Sequence, residues 1–247
     1  MRKILVLLSF GFISASAQHQ PQADTLHSDK TKLKHLILPA ALVTYGLIGL
    51  EDNAIRDFNH DVRNFLAGRF EHSSVDDVTI FVPAAAVYGL NAVGIKGKHN
   101  FRERTVIFAT ASTVMYSAVS LIKTSTNVRR PDGSTSDSFP SGHTATAFAG
   151  AELLREEYGD SSPWYGITGY VIAAGAGFMR IANDRHWLTD VAAGAGIGIL
   201  STRLAYWVFP LVNDFLFSKK QDGTKTSLLL PYSDGRSHGF VFVIALH

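Results

Sequence analysis

Six apolar stretches of about 15–20 residues, rich in alanine and glycine and almost without strand-like alternation, restrict this chain to a packed set of helices. They are Leu36–Leu50, Thr79–Gly94, Thr105–Ile122, His143–Tyr158, Trp164–Met179 and Trp187–Leu211. No linker-like stretch interrupts Lys34–Asn213, so one main domain is expected in the 247 residues. The predicted fold is all-α, a six-helix bundle. Residues 1–17 read as a signal peptide, 18–34 as a flexible N-terminal segment, 35–217 as the helical domain and 218–247 as a tail. In that tail, strand-like runs at Ser227–Tyr232 and Gly239–Leu246 flank a turn containing Asp234-Gly235, which predicts a short β-hairpin. A lone hairpin is marginal in water, so it needs the helical body, lipid or a partner to dock on.

A bilayer-spanning helix needs about 20 apolar residues, with about 17 as the lower limit, and several stretches sit at that limit. Against lipid stand Glu152, Arg155, Glu156 and Glu157 in the fourth stretch, and a mean hydropathy of +0.10. In favour stand Gly194, Gly196 and Gly198, small residues that let membrane helices approach closely. The balance favours a membrane-embedded bundle, with a compact soluble one as the alternative. Between the first two stretches, Ile55, Phe58, Val62, Phe65 and Leu66 recur at helical spacing. This segment, Glu51–Asp77, reads as an interfacial helix or as a helix packed on the bundle.

Arg2 and Lys3 precede an apolar run, Ile4 to Ile13, that closes on Ala15-Ser16-Ala17, the layout of a secretory signal peptide cleaved after Ala17. The formal charge is +2 with no basic run, so nucleic acid is not an expected partner. Cysteine is absent, which removes disulfides, thiolate metal sites and cysteine nucleophiles from consideration. Lys96, Lys98, Arg102 and Arg104 read as a basic connector that marks the cytoplasmic side. Alternation of the helices then sets the connectors before the fourth and sixth helices on the periplasmic side. It also sets the start of the first helix in the cytoplasm, which a cleaved signal would leave outside. Those two signals point in opposite directions.

Polar residues interrupt the apolar pattern in three clusters, all at helix ends. The first is Lys123-Thr-Ser-Thr-Asn-Val-Arg-Arg130-Pro131, the second Pro140-Ser141-Gly142-His143, the third Arg180-Ile-Ala-Asn-Asp-Arg-His186-Trp-Leu-Thr-Asp190. In an antiparallel bundle these ends meet. Lys123, Arg130 and Arg180 suit a dianionic phosphate, and the arginine fork matches its oxygens. Ser141 reads as an N-cap whose helix offers free N–H groups to an anion, and Gly142 leaves them bare. His186 and Asp190 are four apart and share a helix face. Asp190 can fix the tautomer of His186, leaving its other nitrogen as a nucleophile at a position expected to be polar and partly open. His143 can protonate the leaving oxygen and later activate water. The scheme requires no metal and no cofactor. The glycine runs Gly175-Ala-Gly177 and Gly194–Gly198 follow no strand, so they read as helix packing and not as nucleotide loops.

Lys-x6-Arg-Pro, Pro-Ser-Gly-His and Arg-x5-His-x3-Asp, in this order, resemble the three signatures of the type 2 phosphatidic acid phosphatase / vanadium haloperoxidase superfamily, over about Leu36–Phe209. The resemblance implies that superfamily's six-helix bundle. It also implies Lys123, Arg130, Ser141, Gly142 and Arg180 on phosphate, His143 as acid, His186 as nucleophile and Asp190 as its orienter. Met179 departs from the serine that often precedes the third-signature arginine. The text from Lys96-Gly-Lys to Asn183-Asp-Arg-His-Trp-Leu-Thr-Asp further resembles envelope lipid phosphatases of Gram-negative bacteria, some of which remove a phosphate from lipid A. The expected function is thus hydrolysis of phosphate monoesters of membrane lipids, lipid A among them, through a phosphohistidine. The expected partners are a phosphorylated lipid and the membrane. The expected location is the inner membrane of a Gram-negative envelope, with the active site facing the periplasm. A soluble broad-specificity periplasmic phosphatase and, less favoured, a vanadium haloperoxidase are the alternatives.

Overall fold

Alanine and glycine at the contact faces let the helices lie backbone to backbone, and this sets the architecture of the computed structural model. It describes residues 25–51, 53–66, 68–217, 226–233 and 238–245, with side chains from residue 34 to 217. The helices are α1 Thr25–Ile48, α2 Ala54–Leu66, α3 Val75–Thr79, α4 Val82–Ala92, α5 Phe101–Thr126, α6 Gly142–Tyr158, α7 Pro163–Ala182 and α8 Leu188–Phe217. The strands β1 Thr226–Ser233 and β2 His238–Ala245 pair antiparallel, from Thr226 opposite Ala245 to Ser233 opposite His238. The signal-peptide reading and residues 18–24 lie outside the described residues. Of the two compact units, Met1–His35 holds, among the described residues, the opening of α1, and Leu36–His247 holds everything treated below.

The expected six-helix bundle is corrected to eight helices among the described residues. Each apolar stretch does contain a helix. The segment Glu51–Asp77, read as one helix outside the six, forms α2 and opens α3, which runs on to Thr79. Helix α2 docks through Leu66 and through the bonds of Asn59 to Thr189 and Arg63 to Asp184, while Phe58 and Phe65 of the stripe stay exposed, and the five-residue α3 closes just before α4, whose first turn holds Pro83.

Helix α6 lies at the centre. Ala145, Ala147, Ala149 and Ala151 are buried along it, against Met115, Val119 and Ile197 on one side and Ile80, Ala173 and Ala176 on another. Its contact with α8 is backbone to backbone. A methyl added at Gly194 would overlap the carbonyl oxygen of Ser141, and one at Gly198 that of Ala145. Gly194→Ala should therefore cost about 1–3 kcal/mol by forcing the two backbones apart, read as a lower Tm. Gly175→Ala, where a methyl would meet nothing within 4 Å, should leave Tm unchanged or raise it.

Two carboxylates buried in α6 change the reading of the charged fourth stretch. Glu152 accepts from Arg155, Arg203 and Tyr170, and Glu157 from Arg104, His99 and Tyr206. Arg104 is corrected as a member of a solvated basic connector: it is fully buried within α5 and neutralised by Glu157. Helices α5 and α8 are long and apolar enough to cross a membrane, and only 22% of the apolar window of α5 is buried inside the bundle.

Candidate active site

Helix α5 ends where Asn127 takes a left-handed conformation (φ 55°) and its N–H returns to the carbonyl of Lys123. Asparagine tolerates this geometry. The chain then folds back on itself through Arg130 N–H to Thr135 O (2.9 Å) and Ser138 N–H to Val128 O (2.9 Å). This loop is tied to the α7–α8 turn by Asp132 N–H to Asp184 O (3.1 Å), by Arg185 with Asp132, and by Trp187 Nε1–H to Arg129 O (2.9 Å). The second cluster joins the third through the backbone, Ser141 N–H to Asp190 O (3.0 Å). Three segments distant in sequence thus meet at one end of the bundle.

His186 and Asp190 face each other, Nδ1 to Oδ2 at 3.4 Å, and both are buried. His186 is 2% exposed, which corrects the expectation of a partly open position. The same Asp190 oxygen accepts from the hydroxyl of Ser138 and from Trp187 N–H (2.9 Å). Nδ1 of His186 therefore faces an engaged carboxylate and a hydroxyl oxygen, both acceptors, so it carries the ring proton and Nε2 keeps its lone pair. Burial pushes His186 below the usual histidine range. The bond to Asp190 opposes this, and the positive charges of Lys123 and Arg180 reinforce it. The ring is neutral at pH 7, the state a nitrogen nucleophile needs.

Lys123 and Arg180 lie close enough to that ring to bear on its charge, and Arg130 lies close to Lys123. Lys123 Nζ–H donates to the carbonyl oxygen of Asp137 and, at 3.5 Å, to that of Ser138. Arg130 forks onto Asp137, Nε–Oδ1 3.0 Å and Nη2–Oδ2 3.3 Å. Arg180 is buried. Its Nη1–H donates to Asp76 (2.7 Å) and Asp77 (3.4 Å), while its Nε–H has no acceptor among the described residues. A buried guanidinium N–H without an acceptor is costly unless an anion binds there.

Ser141 caps α6 as expected, accepting from Thr144 N–H (3.4 Å) and from the Thr144 hydroxyl (2.9 Å). A hydroxyl that accepts twice still has its own proton to donate. At Gly142 an added methyl would meet nothing nearer than Val119 at 3.7 Å, so internal packing does not demand a glycine. What glycine supplies there is bare backbone N–H at a helix start. His143, in the first turn of α6, places Nε2 3.1 Å from Asp77 Oδ1. Burial and the charge of Arg180 push it below the usual histidine range, against the pull of Asp77 and Asp76.

Every residue expected at the site is thus at this end of the bundle. Sequence reasoning missed Ser138, Asp76 and Asp77, whose partners lie 52, 104 and 66 residues away along the chain. One space adjoins the site through Arg130 and Asp190, and a second lies along α2. A cavity of about 360 Å³ is walled by Arg56, His60, Arg129, Arg130, Trp187 and Asp190. An almost wholly apolar groove of about 480 Å³ runs between α2 and α7, past Phe58, Phe65, Phe178, Ile181 and Leu188.

The chain is 37% identical over 238 residues to the lipid A 1-phosphatase of Porphyromonas gingivalis, an alignment covering 92% of this chain and 52% of that protein. It therefore spans about half the length of the curated relative it matches. Two solved structures are similar. One is the PAP2-type phosphatidylglycerolphosphate phosphatase of Bacillus subtilis: TM-score 0.49, 19% identity, 71% of this chain and 97% of that one covered. The other is LpxE of Aquifex aeolicus: TM-score 0.47, 24% identity, 64% of this chain and 98% of that one covered. Residues 104–214 match the PAP2 superfamily. All three polar clusters fall within those residues, so the likeness to that superfamily covers each of the segments that meet at the site.

Proposed function

We propose that this chain is a phosphoric monoester hydrolase of membrane lipids that works through a phosphohistidine, with lipid A as the foremost substrate. The observation that carries this is the buried, tautomer-fixed His186 beside Arg180, whose Nε–H has no acceptor among the described residues. Nε2 of His186 attacks phosphorus as the bond to the lipid oxygen breaks. Lys123, Arg130, Arg180 and the start of α6 hold the equatorial oxygens. His143 gives its proton to the departing oxygen, then takes one from the water that attacks the phosphohistidine. A dianionic substrate beside His143 favours its protonated form, so binding readies the acid.

The lipid part of the reading draws on three further observations. The curated relative is a lipid A 1-phosphatase. Helix α5 keeps most of its apolar window out of the bundle, unlike the core helix of a soluble protein. The polar cavity could take a headgroup while the apolar groove takes an acyl chain. We place the protein in the inner membrane of a Gram-negative envelope, with its site facing the periplasm.

The test is phosphate release by the purified full chain against lipid A, phosphatidyl phosphates, prenyl pyrophosphate and soluble monoesters. Lipid A is expected to be turned over with the highest kcat/KM, and an alkaline denaturing quench to trap a phosphoprotein that is stable to alkali and loses its phosphate in acid. Equal rates on soluble esters would remove the lipid assignment. Absence of release from every ester would remove the hydrolase itself.

A further inference from the structure

Asp77 lies outside the span that matches the superfamily, on the five-residue α3, yet it touches two groups of the site at once. Its Oδ1 is 3.1 Å from Nε2 of His143 and 3.4 Å from Nη1 of Arg180. Beneath it the segment is fastened rigidly. Asp76 is 1% exposed and takes Arg180 Nη1–H at 2.7 Å. Asn183 exchanges bonds with the backbone of Ser73, N–H to Oδ1 at 3.2 Å and Nδ2–H to O at 2.8 Å, and reaches Asp76 as well. The carboxylate of Asp77, 56% exposed, is thus held at the one place where the general acid and a phosphate-binding cation meet.

We propose that Asp77 is the positioning residue of His143: one carboxylate oxygen takes the Nε2–H of the imidazole and the Nη1–H of Arg180, and keeps the ring turned to the seat that a substrate oxygen then occupies. The inference rests on the phosphatase reading for its kinetic consequence but not for the contact itself. A carboxylate opposite Nε2 requires the proton on that nitrogen, the one His143 must donate. The charged groups that face His143 are Arg180 on α7, which disfavours the imidazolium, and Asp76 and Asp77 on α3, which favour it. Asp76 is already engaged with Arg180, so Asp77 is the partner that directly bonds the ring.

Asp77→Asn tests this in the full chain, and more than half exposure makes the change one the fold tolerates. His143 should then lose its proton at lower pH, by about half to one unit after allowance for solvent screening. The alkaline limb of kcat/KM should move down by the same amount, and Asp77→Glu should restore most of it. Titration of the His143 ring by NMR in isotope-labelled protein, parent against Asp77→Asn, reads the contact without any turnover. If the parent releases no phosphate, the phosphatase reading fails while the NMR shift still decides on Asp77. An unmoved ring titration overturns the proposal, whether activity is unchanged or falls equally at every pH.

Discussion

His186→Ala is expected to release phosphate at least about a thousandfold more slowly than the parent chain, with its fold retained. The loss is that large because the variant has no atom left to bond phosphorus, whereas removal of one phosphate-binding cation leaves the others in place. Retention of the fold follows from the bonds that survive. Asp190 keeps the Ser138 hydroxyl and Trp187 N–H as donors, so no new uncompensated charge is buried. The backbone N–H of His186 still reaches Arg180 O. The void left by the ring has a cost, on the order of 2–4 kcal/mol. His186→Gln, which fills more of that space, should be equally inactive and more stable. Parental activity in either folded variant would remove His186 as nucleophile.

What could be read from the sequence was the chemistry carried by residues near one another in the chain. Lys123 to Pro131, Pro140 to His143 and Arg180 to Asp190 stand out because polar side chains break apolar helices there, and helix ends are where the chain reverses. Pairings across the fold left no such trace. Ser138 sits in a loop of serines and threonines, and nothing local marks it as the donor to Asp190. Asp76 and Asp77 close the segment Glu51–Asp77 with no local mark of a site, and their contacts depend on α3 docking against α7. In the same place the stripe from Ile55 to Leu66 marks one helix, α2, but nothing local announces the separate five-residue α3. The buried carboxylates were legible as unsuited to lipid, but not as neutralised, because their partners arrive from α5, α7 and α8.

Glu157→Ala should be the most damaging single change to stability. Its carboxylate is fully buried and accepts from Tyr206 (2.7 Å), from Nδ1 (2.8 Å) and backbone N–H (3.0 Å) of His99, and from Arg104 Nε (3.1 Å). Burial alone would raise the carboxyl, but the donors from Tyr206 and His99 hold it below the usual glutamate range. A lowered folded value means that this contribution is complete above the unfolded glutamate range, near about 4.3. It is lost as pH falls through the folded value. Without the carboxylate, Arg104 keeps two carbonyl acceptors, His99 O at 2.7 Å and Val87 O at 3.5 Å, but no countercharge. Arginine cannot shed its proton, so a buried cation remains uncompensated, at about 3–5 kcal/mol. For a chain of this size that is a fall in Tm of roughly 6–20 °C. The double variant Arg104→Met/Glu157→Leu removes both charges and should recover most of the loss, since an apolar pair of similar volume often matches a buried ion pair. A Glu157→Ala Tm equal to the parent's would mean that water reaches Arg104 and that this end of the bundle is open. Failure of the double variant alone would instead place the stabilisation in the Tyr206 and His99 hydrogen bonds and not in the ion pair.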